Sequence, residues 1–293
     1  MKVETSNEDK VFFPDPEITK GDLLEYYESV SDFIIPHLEG RPLMMQRFPN
    51  GINEDGFYQK EAGDYFPDWM ETVELEKEGG TVNHAICNNA SSLKYLVNQG
   101  TVAFHTWLSK MPKIDNPDKL IIDLDPPKED TFEIVRDAAL ALRDFFNAEG
   151  ITAFPMTTGS SGVHVMVPLD GKSDFDNVRD VGKKLGERMT EKHPDLFTRE
   201  LRKDKRDGKL FFDIQRNAYA QTAVSPFSVR AVKSAAVATP LSWEELEKKD
   251  THSQTYTLKN IRQRLAQKKD PWNGYGRHQI GLDKLNKALE NSI

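Results

Sequence analysis

Apolar side chains in the first part of the chain recur at the spacing of one amphipathic helix and several short strands. Leu23, Tyr27, Val30 and Ile34 follow Thr19 at intervals of three or four residues, and threonine is a favoured N-cap residue. This pattern predicts a helix that begins after Thr19. Shorter apolar runs predict strands at residues 42–48, 56–60 and 101–107, with a small helix at 91–97.

From residue 119 onward, apolar strands alternate with amphipathic helices. Val135, Ala139, Leu142 and Phe146 share one helical face between two short apolar runs. The alternation predicts strands at 119–125, 151–156, 163–168 and 210–215, helices at 131–148 and 175–189, and a mostly helical tail from 241. Because strands and helices mix in this way, the predicted fold class is α/β (α+β).

The sequence contains no repeat, low-complexity block or Gly/Ser-rich linker. A chain of 293 residues is also long enough to bury a core without disulfides or metals. We therefore expect a single domain over residues 1–293, with an N-terminal α/β part at 1–115, a central part at 116–240 and a helical tail at 241–293.

Composition narrows the class of protein. With 47 Asp and Glu against 39 Lys and Arg, the net charge of −8 argues against coating nucleic acid through bulk charge, although a local basic groove stays open. The single cysteine, Cys87, excludes an intramolecular disulfide, so a reducing cytosolic setting is expected. The start lacks the apolar stretch of a signal peptide and no run of about 18 apolar residues occurs, so we expect no membrane association.

Two aspartates stand at the end of the strongest predicted strand. Residues i and i+2 of a strand share a face, so Asp123 and Asp125 would project side by side while Ile122 and Leu124 are buried on the other face. Two such carboxylates repel unless a cation lies between them, and Mg²⁺ or Mn²⁺ prefers oxygen ligands. The alternative is a pair of turn residues ahead of Pro126.

A third carboxylate changes the balance between these alternatives. Asp213 interrupts the apolar run 210–215, and burying an unpaired charge is costly. Three strand carboxylates that converge on one place indicate a two-metal centre, as used in phosphoryl or nucleotidyl transfer. The alternative for Asp213 is an ion pair with Arg216 or Arg230.

Other segments have the composition of phosphate or nucleic-acid contacts. Residues 157–164 combine glycines and hydroxyl side chains in a predicted tight turn that suits an anion, or forms an ordinary hairpin turn. Basic residues outnumber acidic ones in 199–216, which leads into the Asp213 segment. Arg47, Phe57 and Tyr58 combine a cation with potential stacking rings, although taken alone a hairpin with packed aromatics explains this segment better.

Several of these segments occur together and in order. The matching positions are 7–11, 47–51, 57–60, His105, 123–126, 159–164, Asp213 with Asn217, and 225–230. In this order and spacing they closely resemble the polymerase domain of bacterial DNA ligase D and its stand-alone bacterial and archaeal relatives. These are members of the archaeo-eukaryotic primase superfamily that act in non-homologous end joining. The resemblance covers roughly residues 5–245.

The resemblance implies a primase-like catalytic core, with central β-sheets flanked by helices and an RRM-like catalytic part at 116–240. It also implies roles for particular residues. Those roles are metal binding and catalysis for Asp123, Asp125 and Asp213; nucleotide binding for His105, Thr158, Ser160, Ser161, His164 and Arg230; binding of a DNA 5′-phosphate for Asn7, Lys10 and Lys20; and template binding for Arg47, Phe57 and Tyr58.

Three positions depart from the family pattern. Ser161 stands where members usually have lysine, Gln46 where they have a basic residue, and Tyr58 where they have phenylalanine. The first two departures concern contacts to the triphosphate. Tyr58 is still expected to stack.

The function implied is template-directed synthesis that fills gaps and extends ends during repair of double-strand breaks. The resemblance further implies two Mn²⁺ or Mg²⁺ ions, NTP or dNTP substrates with a preference for ribonucleotides, and DNA with breaks, gaps or overhangs and a 5′-phosphate. It implies a Ku protein and a separate DNA ligase as partners, in the cytoplasm of a bacterium or archaeon near the nucleoid. The alternatives are a replicative primase, a sugar-nucleotide glycosyltransferase that uses Asp-x-Asp, and a non-catalytic module that bridges DNA ends.

Overall fold

The computed structural model describes residues 3–77, 79–127, 131–268 and 270–291. The predicted domain ends at residues 1 and 293 lie outside these ranges. The chain divides into two compact units. The first unit is formed by Met1–Pro112, Thr222–Ala238 and Tyr256–Lys268, and the second by Lys113–Gln221, Thr239–Thr255 and Lys269–Ile293.

Helices and strands are mixed along the described ranges, which confirms the α/β class. The helices are α1 (Lys20–Ser29), α2 (Ser31–Leu38), α3 (Ala90–Asn98), α4 (Phe132–Ala148), α5 (Phe175–Lys192), α6 (Trp243–Leu246), α7 (Ile261–Gln267) and α8 (Leu282–Asn291). The strands are β1 (Val11–Phe13), β2 (Ile18–Thr19), β3 (Leu43–Arg47), β4 (Phe57–Gln59), β5 (Thr72–Lys77), β6 (Gly80–Ala85), β7 (Thr101–Trp107), β8 (Lys119–Leu124), β9 (Phe154–Thr157), β10 (Val163–Pro168), β11 (Phe197–Thr198), β12 (Leu210–Phe211), β13 (Thr222–Val224) and β14 (Thr239–Pro240).

The first unit is built around an antiparallel sheet with the strand order β13-β7-β3-β4. Its apolar core includes the buried tyrosines Tyr26 and Tyr27 of α1. Their hydroxyls donate hydrogen bonds to the backbone oxygens of Phe227 and Val102 at 2.8 and 2.7 Å, so both polar tips are satisfied inside the core.

The predicted N-cap at Thr19 is present. The Thr19 hydroxyl accepts a hydrogen bond from the Asp22 N–H, and the Asp22 carboxylate accepts one from the Thr19 N–H, which makes a capping box. The single helix predicted through Ile34 is divided, because Val30 leaves helical geometry and α2 begins at Ser31. Strand β5 and its partner β6 were not predicted, since their side chains are mostly exposed and polar and carry little apolar signal.

The second unit contains an antiparallel sheet in the order β14-β9-β10-β8. Strands β8 and β10 are buried at every position, so both sheet faces are covered there. The helices α4 and α5 contact the sheet. In the register of β8 against β10, Asp123 lies opposite His164.

The strand predicted at 210–215 is wrong in extent. Only Leu210–Phe211 is a strand, paired in parallel with β11, and Gln215–Asn217 forms a 3-10 turn. Between them the Asp213 carboxylate accepts a hydrogen bond from the Gln215 N–H at 2.7 Å, which turns the chain. Asp213 then forms an isolated antiparallel bridge with Asp123 rather than part of a continuous strand.

No helix within residues 3–77, 79–127, 131–268 and 270–291 is long and apolar enough to cross a bilayer.

Candidate functional site

Asp123 is a buried carboxylate near the end of β8, held between two cationic or potentially cationic side chains. Its Oδ1 lies 3.3 Å from Nε2 of His164 on the neighbouring strand, and Nε of Arg216 donates to Oδ2 at 3.2 Å. Burial by itself would raise the pKa of Asp123. His164 and Arg216 outweigh that effect and lower the pKa to about 2, so Asp123 is ionised at neutral pH.

Asp125 follows β8 and accepts a hydrogen bond from the Ser161 hydroxyl at 3.0 Å. The pKa of Asp125 is raised, first by loss of hydration and then by the charge of Asp123. This holds although much of the surface of Asp125 is exposed. Gly162 packs against this residue so closely that a Cβ would lie 2.3 Å from the Leu124 oxygen and 2.6 Å from the Asp125 Oδ1. Only glycine leaves room for Asp125 at this position.

Asp213 joins the other two aspartates through the backbone. The Asp123 N–H donates to the Asp213 carbonyl oxygen at 2.9 Å, which fixes the two residues side by side. Burial raises the pKa of Asp213, against the lowering effect of the Gln215 hydrogen bond, and the charge of Asp123 raises it further. The sequence offered Arg216 as an ion-pair partner of Asp213, but in the structure Arg216 pairs with Asp123.

The donor set fits a hard divalent cation in chemistry, because it consists of three carboxylates and the charge of Asp123 raises the pKa of the other two. In the arrangement described for residues 3–77, 79–127, 131–268 and 270–291, no three or more His, Cys, Asp or Glu side chains are gathered closely enough to hold a metal ion. Both oxygens of Asp123 face His164 and Arg216. A cation would therefore have to compete with Arg216 for Asp123.

The turn between β9 and β10 carries the predicted hydroxyl cluster. The buried Thr158 hydroxyl accepts a hydrogen bond from the Gly162 N–H at 3.1 Å, so this hydroxyl organises the turn. Ser160 is half-buried and Ser161 is exposed. The turn thus leaves the side chain of Ser161 on the surface, beside Asp125.

Two residues missed by sequence reasoning support this turn from the tail of the second unit. The Ser253 hydroxyl donates to the Gly162 oxygen at 3.0 Å, and the Gln254 side-chain amide donates to the Ser160 oxygen at 2.9 Å. Neither residue lies in a recognisable motif. Their role arises from tertiary contacts more than 90 positions along the chain.

The other two predicted nucleotide residues belong to the first unit. His105 is half-buried on β7, opposite Met44 of β3 and Val224 of β13. Arg230 is also half-buried, and its N–H donates to the Ala236 oxygen at 2.8 Å. Each is therefore fixed by its own unit's backbone.

The predicted 5′-phosphate residues come together in one pocket of the first unit. Asn7, Lys10 and Lys20 line an open cavity of about 270 Å³. The Lys20 ammonium donates to the Ser6 carbonyl oxygen at 2.6 Å, and the Lys10 ammonium donates to the Pro49 carbonyl oxygen at 3.0 Å and to Asn50 Oδ1 at 3.1 Å. Burial and then the nearby charge of Lys10 lower the pKa of Lys20, with Glu8 opposing. We call this site the lysine pocket.

Arg47, predicted as a template contact, lines the same pocket. Its guanidinium is buried and donates to the Gln99 carbonyl oxygen at 2.9 Å and to the Tyr65 hydroxyl at 2.7 Å. The guanidinium also lies over the Phe57 ring, 5.3 Å from the centroid. Arg47 therefore connects the lysine pocket with the aromatic strand β4.

The two rings predicted to stack on a template are the exposed residues of β4. Phe57 is 46% exposed and Tyr58 57% exposed, whereas the rings of the core are nearly inaccessible. The Tyr58 ring meets the His105 ring edge-on, with centroids 6.0 Å apart. Exposed rings on an edge strand are available for stacking.

Comparison with known proteins agrees with the motif-based prediction. The model of the LigD primase-polymerase domain matches residues 19–272. The bifunctional non-homologous end joining protein LigD of Bacillus subtilis is 30% identical over 272 residues, covering 92% of this chain and 44% of the relative. The multifunctional LigD of Pseudomonas aeruginosa is 27% identical over 275 residues, covering 93% and 33%. The chain thus spans less than half the length of these curated relatives.

A solved structure is similar over nearly the whole chain. It is the polymerase domain from Mycobacterium tuberculosis ligase D in complex with DNA, with a TM-score of 0.88 and 27% sequence identity. The match covers 95% of this chain and 99% of the solved one. The predicted fold family is therefore confirmed.

Proposed function

The chain belongs to the LigD primase-polymerase domain family, and from that premise we propose that it is a template-directed nucleotidyltransferase of non-homologous end joining. The observation that carries the proposal is the backbone bridge that places Asp213 beside Asp123, two residues before Asp125. In the reaction, the 3′-hydroxyl oxygen of a primer forms a bond to the α-phosphorus of a nucleotide and loses its proton. The bond to the β-phosphate oxygen breaks, and pyrophosphate leaves.

Asp123, Asp125 and Asp213 would hold two Mn²⁺ or Mg²⁺ ions, which would supply charge neutralisation at the triphosphate and a more acidic 3′-hydroxyl. The chain's own residues prepare this chemistry. Gly162 gives Asp125 its space, and the Asp213 bridge sets the separation of the carboxylates. The lowered pKa keeps Asp123 ionised, so that a cation would compete with Arg216 for it and not with a proton.

The incoming nucleotide would contact the turn at 158–162. Ser160, Ser161 and the turn backbone offer donors to phosphate oxygens, with Thr158 holding the turn in shape. His105, His164 and Arg230 would add charge or hydrogen bonds to the triphosphate. A preference for NTP over dNTP belongs to the same proposal.

The protein would bind the DNA through a phosphate group and through stacking of aromatic rings on a base. The lysine pocket offers two ammonium groups and the amide of Asn7 to a 5′-phosphate at a gap or break. Phe57 and Tyr58 offer exposed rings to a template base. Support comes from the similar M. tuberculosis polymerase domain, whose structure is in complex with DNA.

We further propose the setting that the end-joining relatives suggest. The chain would act as one domain, with a Ku protein and a separate DNA ligase as partners, in the cytoplasm of a bacterium or archaeon close to the nucleoid. Its substrates would be DNA with double-strand breaks, gaps or overhangs.

The test is primer extension on a gapped duplex, with and without a downstream 5′-phosphate, comparing NTP with dNTP and Mn²⁺ with Mg²⁺. We expect extension that depends on a divalent ion, prefers NTP and increases with the 5′-phosphate. The double variant Asp123→Ala/Asp125→Ala should lose extension, and the control Asp180→Ala, which alters an exposed aspartate of α5, should keep it. DNA binding without any incorporation would support an end-bridging module instead.

A further inference from the structure

Asn217 is a fully buried amide at the end of the 3-10 turn that follows Asp213. Its Oδ1 accepts a hydrogen bond from the Ile121 N–H at 2.9 Å, and its Nδ2 donates to the Ile121 carbonyl oxygen at 2.7 Å. Both bonds go to one residue of β8. These two hydrogen bonds match the pair that a residue of an antiparallel strand exchanges with the residue opposite it.

The strand that Asn217 contacts is the outer strand of its sheet. Strand β8 pairs with β10 on one side only. On the other side, the Ile121 N–H is bonded to Asn217 and the Asp123 N–H to the Asp213 oxygen. The side chain of Asn217 and the backbone of Asp213 therefore cover two successive outward-facing positions of β8.

The same amide also binds its own segment. Nδ2 donates to the Ile214 carbonyl oxygen at 2.9 Å, so one side chain joins the backbone just after Asp213 to β8. Only an uncharged carboxamide supplies both the donors and the acceptor that these three bonds need. Aspartate would lose the donor, and glutamine would displace the amide by one methylene group.

We propose that Asn217 is a positioning residue that fixes Asp213 beside Asp123. Asp213 and Asp123 lie opposite each other in an antiparallel bridge, and two neighbouring carboxylates repel when both are ionised. One backbone hydrogen bond, from the Asp123 N–H to the Asp213 oxygen, joins the two aspartates directly, and the bond from the Phe212 N–H to the Thr198 oxygen holds the segment to β11. The Asn217 bonds to Ile121 hold the segment in register at a second point. The consequence for metal binding and catalysis rests on the proposed function, whereas the consequence for geometry does not.

The first experiment measures amide hydrogen exchange by NMR in Asn217→Ser and Asn217→Asp, without metal or DNA. We expect protection of the Ile121 and Asp123 amides to fall at least tenfold, while the Ile122 amide, which faces β10, keeps its protection. Loss at Asp123 is the informative result, because its partner is Asp213 and not Asn217. If exchange accelerates at Ile121 alone, Asn217 does not position Asp213 and the inference is overturned.

The second experiment measures Mn²⁺ binding from the free-ion EPR signal, together with kcat and the KM for NTP. In both variants we expect the half-saturating Mn²⁺ concentration to rise at least fivefold and kcat to fall, with the KM for NTP and the affinity for DNA unchanged. Val135→Ala, a buried truncation on α4, controls for lost stability. Variants that behave like Val135→Ala overturn the role at the metal site. A wild-type chain that binds no Mn²⁺ overturns the proposed function, and the exchange measurement still decides the positioning role.

Discussion

Asp123, Asp125 and Asp213 of the second unit, which we call the carboxylate cluster, and the lysine pocket of the first unit both bring like charges together, but the repulsion is offset differently in each. At the cluster, Asp123 is flanked by the side chains of His164 and Arg216. In the lysine pocket, Lys10 and Lys20 are bonded to neutral oxygens of Pro49, Asn50 and Ser6. Neutral oxygens satisfy ammonium groups without cancelling their charge, whereas Arg216 cancels part of the cluster's charge.

The difference shows how each site is prepared for its ligand. The lysine pocket keeps its positive potential, which Glu8 offsets in part. The lowered pKa of Lys20 reflects the cost of burying its charge beside that of Lys10. An anion that enters meets charges already in place. In the carboxylate cluster, Arg216 neutralises part of the charge of Asp123. At the proposed metal site, a metal ion would have to compete with Arg216 for that carboxylate.

The largest expected effect comes from removing one carboxylate charge. Asp213→Asn keeps the shape and the backbone bridge but removes the charge, so extension should fall by about 10²- to 10³-fold, the scale of losing one group that stabilises a charged transition state. Initial rates of NTP incorporation measure it, with Asp180→Asn as the matched control on an exposed aspartate. Unchanged rates would show that Asp213 has no role in extension and would contradict the proposed function of the carboxylate cluster.

Substitutions in the lysine pocket are expected to reduce selectivity for a 5′-phosphate and not the rate of nucleotide addition. Each charge-assisted hydrogen bond contributes about 1.5–3 kcal/mol, so Lys10→Ala and Lys20→Ala should each weaken binding of a 5′-phosphorylated gap by roughly 10- to 100-fold. Binding of the unphosphorylated gap and simple primer extension should be unaffected. Fluorescence anisotropy measures both affinities, and Lys94→Ala, on the surface of the same unit, is the control. Equal losses with and without the phosphate would contradict the assignment.

The acid stability of the protein tests the charge pairing at Asp123. Its pKa is lowered to about 2 in the folded protein, against about 3.9 in an unfolded chain, so its contribution is present above pH ~4 and is lost as pH falls through 2. The free energy of unfolding of the wild type, relative to that of Asp123→Asn, should therefore fall by roughly 2 kcal/mol over that pH range. Urea unfolding at pH 5 and pH 2.5, without metal, measures the difference. A pH-independent difference would mean that His164 and Arg216 do not stabilise the ionised form.

The smallest effect sharpens the geometry of the cluster. Gly162→Ala adds a methyl group that meets the Leu124 oxygen and the Asp125 Oδ1, and overpacking of this kind destabilises by about 1–3 kcal/mol. We expect a fall in kcat of about tenfold through displacement of Asp125. Gly276→Ala, where a Cβ has no neighbour within 4 Å, should leave both kcat and Tm unchanged. If both variants behave alike, Asp125 tolerates displacement.

Local signals in the sequence were sufficient for much of the scaffold. Thr19 was predicted as an N-cap from residue type and spacing, and the capping box with Asp22 confirms it. Strand β8 was predicted because continuous apolar residues lead into Asp123. The helix after Thr19 was wrong only in its continuity, because the apolar spacing continues across Val30 while the backbone there leaves helical geometry and a second helix begins at Ser31.

The segment around Asp213 shows where local signals fail. Its apolar residues predicted a strand through 215, but the Asp213 carboxylate binds the Gln215 N–H and turns the chain. The support that Ser253 and Gln254 give to the turn between β9 and β10 had no signal at all, since neither residue belongs to a periodic or motif pattern. The turn at Asp213 is a local contact that apolar periodicity does not report, whereas the contacts of Ser253 and Gln254 join positions more than 90 residues apart.

The sequence by itself determined the fold class, the family and the chemical types at the site, because these follow from residue identity, spacing and periodicity along the chain. Only the tertiary structure decided which groups share an environment. It paired Arg216 with Asp123, brought Arg47 into the lysine pocket and bound Asn217 to the outer edge of β8. The physical reason is that pKa values, charge compensation and unpaired strand edges are properties of three-dimensional neighbourhoods, and spacing along the chain does not specify them.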